Sequence, residues 1–188
     1  YLWEIISIFV INIYIDYVMG LGPNLFGHRP NFIKEAVEKG MSKGFVYSAQ
    51  HELEISVAEQ ALKFIPMQDS TVRFASSGTE IVQLAIRLIR SYTGKQKFIK
   101  FEGHYHGWAD NVSFSVNPEL QLSGSNTAPL PVPESSGMDL NLTENILICQ
   151  WNDFENINYI FKHCLILILT LLLIFLFSFS YKFLPETP

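Results

Sequence analysis

Basic residues and cysteines are both scarce in this chain of 188 residues. Lysine and arginine number 13 against 18 aspartates and glutamates, so the formal net charge is -5. A nucleic-acid-binding protein needs a basic patch, and the sequence contains no run rich in lysine or arginine. Two cysteines, Cys149 and Cys164, are too few for a disulfide framework and lack the spacing of metal ligands. This scarcity favours a reducing, cytoplasmic compartment.

The segment Ser76 to Glu80 (SSGTE) has the composition of a helix start that binds phosphate. It predicts a helix over Gly78 to Arg90, whose apolar face consists of Ile81, Leu84, Ala85, Leu88 and Ile89. The first turn of a helix has free N–H groups and a partial positive charge, and glycine lets a ligand approach closely. Ser77, Gly78 and Thr79 are therefore candidate phosphate ligands. The same residues also suit an ordinary N-cap that binds nothing.

A second cluster, Lys100 to Asp110 (KFEGHYHGWAD), overlaps the end of a strand predicted over Phe98 to Phe101. Tyr105 and His106 stand in its glycine-rich turn, where aromatic side chains can stack on a flat ring. The two clusters together suggest a site for a flat, phosphorylated cofactor. The alternative is that Tyr105 is partly buried packing and His106 is a loop histidine with satisfied hydrogen bonds.

The run Val72 to Val112 resembles the large-domain segment of class III aminotransferases, which are fold type I pyridoxal phosphate enzymes. Further motifs match the same family in the same order, namely Ile15 to His28, Ala49 to Gln60 and Ile146 to Ile157. The similarity covers about residues 14–157 and is greatest to glutamate-1-semialdehyde 2,1-aminomutase and its aminotransferase relatives. Four ordered motifs are far more specific than any one of them.

This resemblance implies an α/β fold, as part of the large domain of a fold type I transferase, and pyridoxal 5'-phosphate as the cofactor. It implies that Ser77, Gly78 and Thr79 bind the cofactor phosphate. It also implies that Tyr105, beside His106, stacks on the pyridine ring. The implied substrates are a small-molecule amino donor and a carbonyl acceptor, and the implied assembly is a homodimer with active sites at the subunit interface.

Two parts of the family's chemistry have no counterpart in this sequence. The family uses a lysine that forms a Schiff base with the cofactor and an aspartate that pairs with the pyridine nitrogen. After Ile157 the lysines are Lys162 and Lys182, which flank a hydrophobic tail, so no catalytic residue is assigned. We expect this chain alone to be inactive. Aminomutases typically carry a tryptophan where Leu21 stands, so the resemblance leaves aminotransferase and aminomutase activity both open.

Two other kinds of site compete for some of these residues. His104 and His106 would share one face of a strand with Asp110 nearby, but a zinc site needs three or four ligands. We therefore expect no metal site. The run Gly20-Leu21-Gly22 begins like a dinucleotide fingerprint but lacks the third glycine, so it is interpreted as a turn.

Composition and pattern divide the chain into an N-terminal segment, residues 1–70, a partial cofactor-binding domain, residues 71–157, and a hydrophobic tail, residues 158–188. The N-terminal segment is predicted to contain strands within Ile5 to Ile15. Helices are predicted over Pro30 to Gly40 and Glu52 to Phe64. In the first helix the residues predicted to face inward are Ile33, Ala36 and Val37.

In the second segment, a strand is predicted at Thr71 to Ala75. Together with the Gly78 helix and the Phe98 strand, it would form a β-loop-α-β unit. Such a crossover implies parallel strands, and ligands favour the carboxyl ends of parallel strands. Residues 117–143, rich in proline, serine and glycine, are predicted to be a loop. The resemblance implies a loop near the active site, and a plain surface connection is the alternative.

The tail contains an apolar run, Cys164 to Phe179, broken only by Thr170 and Ser178. Its length is close to the lower limit for a helix that spans a membrane. Because aminotransferases of this type are soluble, we expect the tail to be translated non-coding sequence or the end of a truncated product. The alternative function is a non-catalytic binding protein, derived from the family and tethered to a membrane through residues 160–181.

Overall fold

The computed structural model describes residues 5–7, 13–66, 70–164 and 168–171. The chain divides into two compact units, Tyr1–Val72 and Arg73–Pro188. The division into three segments with boundaries after residues 70 and 157 stays a prediction.

The first unit contains a pair of short strands and two helices. Strand β1 (Ile5–Ser7) pairs antiparallel with β2 (Ile13–Ile15), which confirms the strands expected in this stretch. Helix α1 spans Asn31–Met41 and α2 spans Glu52–Leu62, close to their predicted bounds. Pro30 precedes α1 as its N-cap residue, where the missing N–H of proline costs no helical hydrogen bond.

The inward-facing side predicted for α1 is wrong within this unit. No residue of α1 is buried, and Ile33 and Val37 are 41% and 51% exposed. The helical period identifies residues that share a face, but what covers the face depends on the rest of the fold.

The second unit combines helices with a parallel sheet. Its elements in chain order are α3 (Gly78–Thr93), β3 (Lys97–Phe101), β4 (Gly124–Ser125), β5 (Ala128–Pro129), a 3-10 helix (Leu140–Asn145), β6 (Ile146–Cys149), α4 (Phe154–Cys164) and β7 (Ile168–Leu171). The sheet has the order β6-β3-β7, and β3 runs parallel to both neighbours. The α/β class expected from the sequence is therefore observed, and β3 lies in a parallel sheet, but its parallel neighbours are β6 and β7 rather than the predicted strand at Thr71 to Ala75.

Alternate residues of β3 pack on opposite faces of this sheet. On one face, Phe98 belongs to the same core cluster as the buried side of α3. On the other face, Ile99 and Phe101 pack with Ile160 of α4. Both faces of β3 are thus buried, as is usual for parallel strands, which agrees with the apolar residues Phe98, Ile99 and Phe101.

Helix α3 confirms the predicted helix, but its buried face is not the predicted one. Val82 and Ile86 are 2% and 3% exposed, whereas Leu84 and Leu88 are 39% and 66% exposed. Apolar residues occur around more than one side of this helix, so the period alone could not select the side that packs on the sheet.

The strand predicted over Thr71 to Ala75 is wrong, because these residues form no strand. An extended segment becomes a strand only when a neighbour supplies hydrogen bonds, and no described segment pairs with this one. Residues 117–143 confirm the predicted loop region, interrupted by the small antiparallel hairpin of β4 and β5 and by the start of the 3-10 helix.

Part of the hydrophobic tail has a defined place in the fold. Ile168–Leu171 forms β7, which pairs with β3, whereas residues 165–167 and 172–188 lie outside the described residues. In the described part of the chain, no helix has the length and apolar character needed to cross a membrane.

Candidate functional site

The start of α3 is held by a capping box. The Oγ atom of Ser77 accepts a hydrogen bond from the N–H of Glu80 at 3.2 Å. In return, the carboxylate of Glu80 accepts from the N–H groups of Ser76 and Ser77 at 2.9 and 3.1 Å. This reciprocal pair fixes the point at which the helix begins.

The capping box leaves donors available at the helix start. The backbone N–H groups of Gly78 and Thr79 have no acceptor among the described residues. The Ser77 hydroxyl accepts from Glu80 and keeps its own hydrogen for donation. Because the helix dipole adds positive potential here, these donors can bind an anion such as a phosphate group.

The Tyr105 loop lies directly against this helix start. A Cβ atom added at Gly107 would lie 2.5 Å from Oγ1 and 2.9 Å from Cα of Thr79. Gly107 also has a φ of +99°, which residues with a side chain rarely adopt. Glycine is therefore needed at this position for both space and backbone conformation, and the two motifs meet there.

Tyr105 and His106 differ sharply in exposure. Tyr105 is 65% exposed, so its ring has free surface, whereas His106 is 4% exposed. Both ring nitrogens of His106 are buried, and neither has a hydrogen-bond partner in the part of the chain described. Burial, with smaller contributions from the positive charges of Lys100 and His104, lowers the pKa of His106 to about 4. The imidazole is thus neutral at pH 7 and has unmet hydrogen-bonding capacity.

Lys100, the first residue of the Lys100 to Asp110 cluster, is a buried charged residue beside the site. It is wholly buried in β3, and its Nζ atom donates to the carbonyl of Phe101 at 3.3 Å. Burial lowers the pKa of Lys100 to about 8, although Glu134 and Glu102 oppose this shift. The alternation of β3 could have shown that Lys100 shares the buried face of Phe98.

The carboxyl ends of β3 and β6 are joined by polar and aromatic contacts. Gln150 donates from Nε2 to Oε1 of Glu102 at 3.0 Å. The ring of Trp151 lies 4.8 Å from that of His104 and 5.0 Å from that of Phe101, measured between centroids. These contacts place the Tyr105 loop at the carboxyl edge of the parallel sheet, where α/β proteins bind their ligands.

The competing types of site receive no support from the geometry. Among the residues described, no group of three or more His, Cys, Asp or Glu could hold a metal ion. The strand face predicted for His104 and His106 is wrong, because both lie in the loop after β3 with ring centroids 6.0 Å apart. Gly20 and Gly22 have positive φ angles within a run of turns, which confirms their interpretation as turn residues.

A family model for class III aminotransferases matches residues 12–152, a range that includes both the start of α3 and the Tyr105 loop. The chain belongs to the class III aminotransferase family. The resemblance indicated by the four motifs is therefore confirmed.

Individual relatives of this class III chain agree with that assignment. The glutamate-1-semialdehyde 2,1-aminomutase of Alkaliphilus oremlandii (strain OhILAs) is 38% identical over 151 residues, which are 80% of this chain and 34% of that protein. The solved structure of an omega-transaminase from Sphaerobacter thermophilus has a TM-score of 0.73 at 29% identity, with 80% of this chain and 34% of that chain covered. A transaminase solved with PLP bound has a TM-score of 0.68 at 26% identity, with the same shares covered.

The class III chain is thus short relative to the proteins that it matches. It spans 34% of the length of the aminomutase and of both transaminases. Its second unit contains the helix start, the Tyr105 loop and the carboxyl edge of the sheet that these observations bring together.

Proposed function

We propose that this class III chain binds pyridoxal 5'-phosphate at the start of α3 and on the Tyr105 loop. In this role it supplies the phosphate and ring subsites of an aminotransferase or an enzyme like glutamate-1-semialdehyde aminomutase. The observation that carries the proposal is the close approach of Gly107 to Thr79, because it brings the Tyr105 loop and the start of α3 together in a single site. Family membership and the relatives named above support the choice of cofactor.

The residues present fit this cofactor in three respects. The free donors of Ser77, Gly78 and Thr79 suit a phosphate dianion at a helix start. The exposed ring of Tyr105 suits an aromatic pyridine ring. The unmet ring nitrogens of His106 suit a polar atom of a ligand, since a buried polar group without a partner is destabilising.

Each residue then has a distinct task. The helix start binds and orients the phosphate, Tyr105 stacks on the ring, and Gly107 allows the loop to approach Thr79 closely. When bound, pyridoxal phosphate supplies an electron sink for reactions at the carbon that bears the amino group. The proposed substrates are a small-molecule amino donor and a carbonyl acceptor, and the proposed assembly is a homodimer.

Turnover is not part of the proposal for this chain alone. Lys100 is wholly buried, and its amine donates to the neighbouring carbonyl of Phe101. Its amine is therefore enclosed in the protein interior. We expect the chain to bind the cofactor noncovalently, with a dissociation constant that reports directly on the phosphate and ring contacts.

The variant Thr79→Val tests the proposed phosphate subsite. Valine has nearly the shape of threonine but no hydroxyl, so the variant removes one donor to a charged group. One such hydrogen bond contributes about 1.5–3 kcal/mol, which corresponds to a rise in the dissociation constant for pyridoxal phosphate of roughly 10- to 100-fold. A fluorescence titration with pyridoxal phosphate measures this change.

Thr93→Val is the matched control for that experiment. Thr93 lies near the opposite end of α3, about 21 Å along the helix axis from Thr79. Its hydroxyl donates to the carbonyl of Ile89 at 2.6 Å, so valine removes a helix hydrogen bond there and no ligand contact. Equal affinities for Thr79→Val and the unaltered chain would contradict a role for the Thr79 hydroxyl in the proposed phosphate subsite.

A further inference from the structure

Ser115, which lies outside both motifs, connects the Tyr105 loop to the proline-rich segment. Its N–H donates to the carbonyl of Val132 at 2.6 Å, and its carbonyl accepts from the N–H of Gly103 at 2.9 Å. Its hydroxyl donates to the carbonyl of Leu130 at 3.1 Å and accepts from the N–H of Val132 at 2.9 Å. Every polar group of this fully buried residue is therefore engaged.

The backbone of Ser115 is held in an unfavourable conformation. Its φ of +49° lies in the left-handed region, which a residue with a side chain adopts only when its surroundings determine the conformation. The adjoining turn is fixed as well, because Oε1 of Glu134 accepts from the N–H groups of Val116 and Asn117 at 2.6 and 3.0 Å. This combination of strain and full hydrogen bonding is typical of a residue that fixes a functional loop.

The Tyr105 loop is thereby attached at both of its ends. At one end, the N–H of Gly103 is bonded to Ser115. At the other end, Gly107 lies against Thr79 at the start of α3. Tyr105 stands between these two attachments, so loss of either one would loosen the position of its ring relative to the helix start.

We propose that Ser115 is a positioning residue for Tyr105. Its carbonyl fixes Gly103, and its hydroxyl holds Ser115 itself against the Leu130 to Val132 segment. The inference rests on the proposed function, because the position of Tyr105 matters to a ligand only if the ring binds there. Ser115 itself is fully buried and touches no ligand.

The test combines amide hydrogen exchange with cofactor binding for Ser115→Ala. Because the variant removes both hydroxyl hydrogen bonds, exchange at the Gly103 amide should become about tenfold faster. Exchange at Ile99, a fully buried residue of β3, reports on global opening and should be accelerated by a smaller factor than exchange at Gly103. The dissociation constant for pyridoxal phosphate should rise by about tenfold, because a more mobile Tyr105 ring must be ordered when the cofactor binds.

Ser123→Ala is the matched control, because the Ser123 hydroxyl donates only to the nearby carbonyl of Glu119 in the same segment. It should leave exchange and affinity unaltered. If Ser115→Ala fails to fold, Glu134→Gln is the second variant. It keeps the shape of the side chain that accepts from Val116 and Asn117 but removes its charge, and it should speed exchange at Gly103 by a smaller factor.

The outcomes separate this inference from the proposed function. Unaltered exchange at Gly103, or an equal acceleration at Gly103 and Ile99, would overturn the positioning role. If the chain without any substitution does not bind pyridoxal phosphate, that result would instead refute the proposed function. In that case the exchange comparison still decides whether Ser115 fixes the Tyr105 loop.

Discussion

Replacement of Gly107 by alanine tests whether the two motifs form one site. The new Cβ atom would lie 2.5 Å from Oγ1, 2.9 Å from Cα and 2.9 Å from Cβ of Thr79. Two of these three atoms are fixed by the helix backbone and cannot rotate away. The loop and the start of α3 must therefore separate, which would move Tyr105 away from the phosphate donors.

The expected loss of stability has two parts. The backbone conformation at Gly107, with φ +99°, costs a residue with a side chain about 1–3 kcal/mol. The steric overlap with Thr79 adds about 1–3 kcal/mol. Gly103→Ala is the matched control, because Gly103 has φ +78° but no atom within 4 Å of the added Cβ. We expect Gly107→Ala to be the less stable of the two variants by about 1–3 kcal/mol.

Urea unfolding measures the free energies of unfolding of the two variants, and a titration with pyridoxal phosphate measures their affinities for the cofactor. Gly107→Ala should lose affinity by a larger factor than Gly103→Ala, because only the former separates the loop from the helix start. Equal stabilities and equal affinities in the two variants would refute the conclusion that the motifs meet at Gly107.

Two buried ionisable groups give further predictions. The pKa of His106 is about 4 in the folded chain against 6.5 in the unfolded chain, so stability should fall by at most roughly 3 kcal/mol as the pH drops from 6.5 towards 4. An NMR titration of the His106 ring checks this, and a pKa near 6.5 would contradict it. The pKa of Lys100 is about 8 against 10.5, so stability should rise between pH 8 and pH 10.5. Urea unfolding should show that Lys100→Met removes this rise, and persistence of the rise in the variant would show that another group causes it.

The elements that the sequence predicted correctly are those determined by neighbouring residues. Ser77 and Glu80 form a capping box three residues apart, so the start of α3 depends on its own side chains. Gly94, in the left-handed conformation, ends the same helix. The buried strand β3 likewise agrees with the apolar residues Phe98, Ile99 and Phe101, because both of its faces are covered.

The features that the sequence could not predict depend on distant partners. The buried side of α3 depends on which face meets the sheet, so Val82 and Ile86 were overlooked in favour of Leu84 and Leu88. The segment Thr71 to Ala75 could become a strand only beside a partner, and the described residues supply none.

The features of the candidate site also divide into those set by neighbouring residues and those set by distant segments. Local chemistry predicted that the start of α3 could donate hydrogen bonds and that Tyr105 could offer a ring. The contact between Gly107 and Thr79 and the burial of His106 follow from the folding of distant segments onto one another. The sequence shows a glycine at position 107, but it does not show that Thr79 packs against this glycine and leaves no room for a side chain.

The most direct measurement is an NMR titration of the chain with pyridoxal 5'-phosphate, followed at the backbone amides. We expect the signals of Gly78, Thr79, Tyr105 and His106 to shift together with one dissociation constant. Inorganic phosphate in a parallel titration should shift Gly78 and Thr79 and leave Tyr105 nearly unaffected. Shifts confined to one of the two motifs, or different dissociation constants for the two, would contradict a single cofactor site.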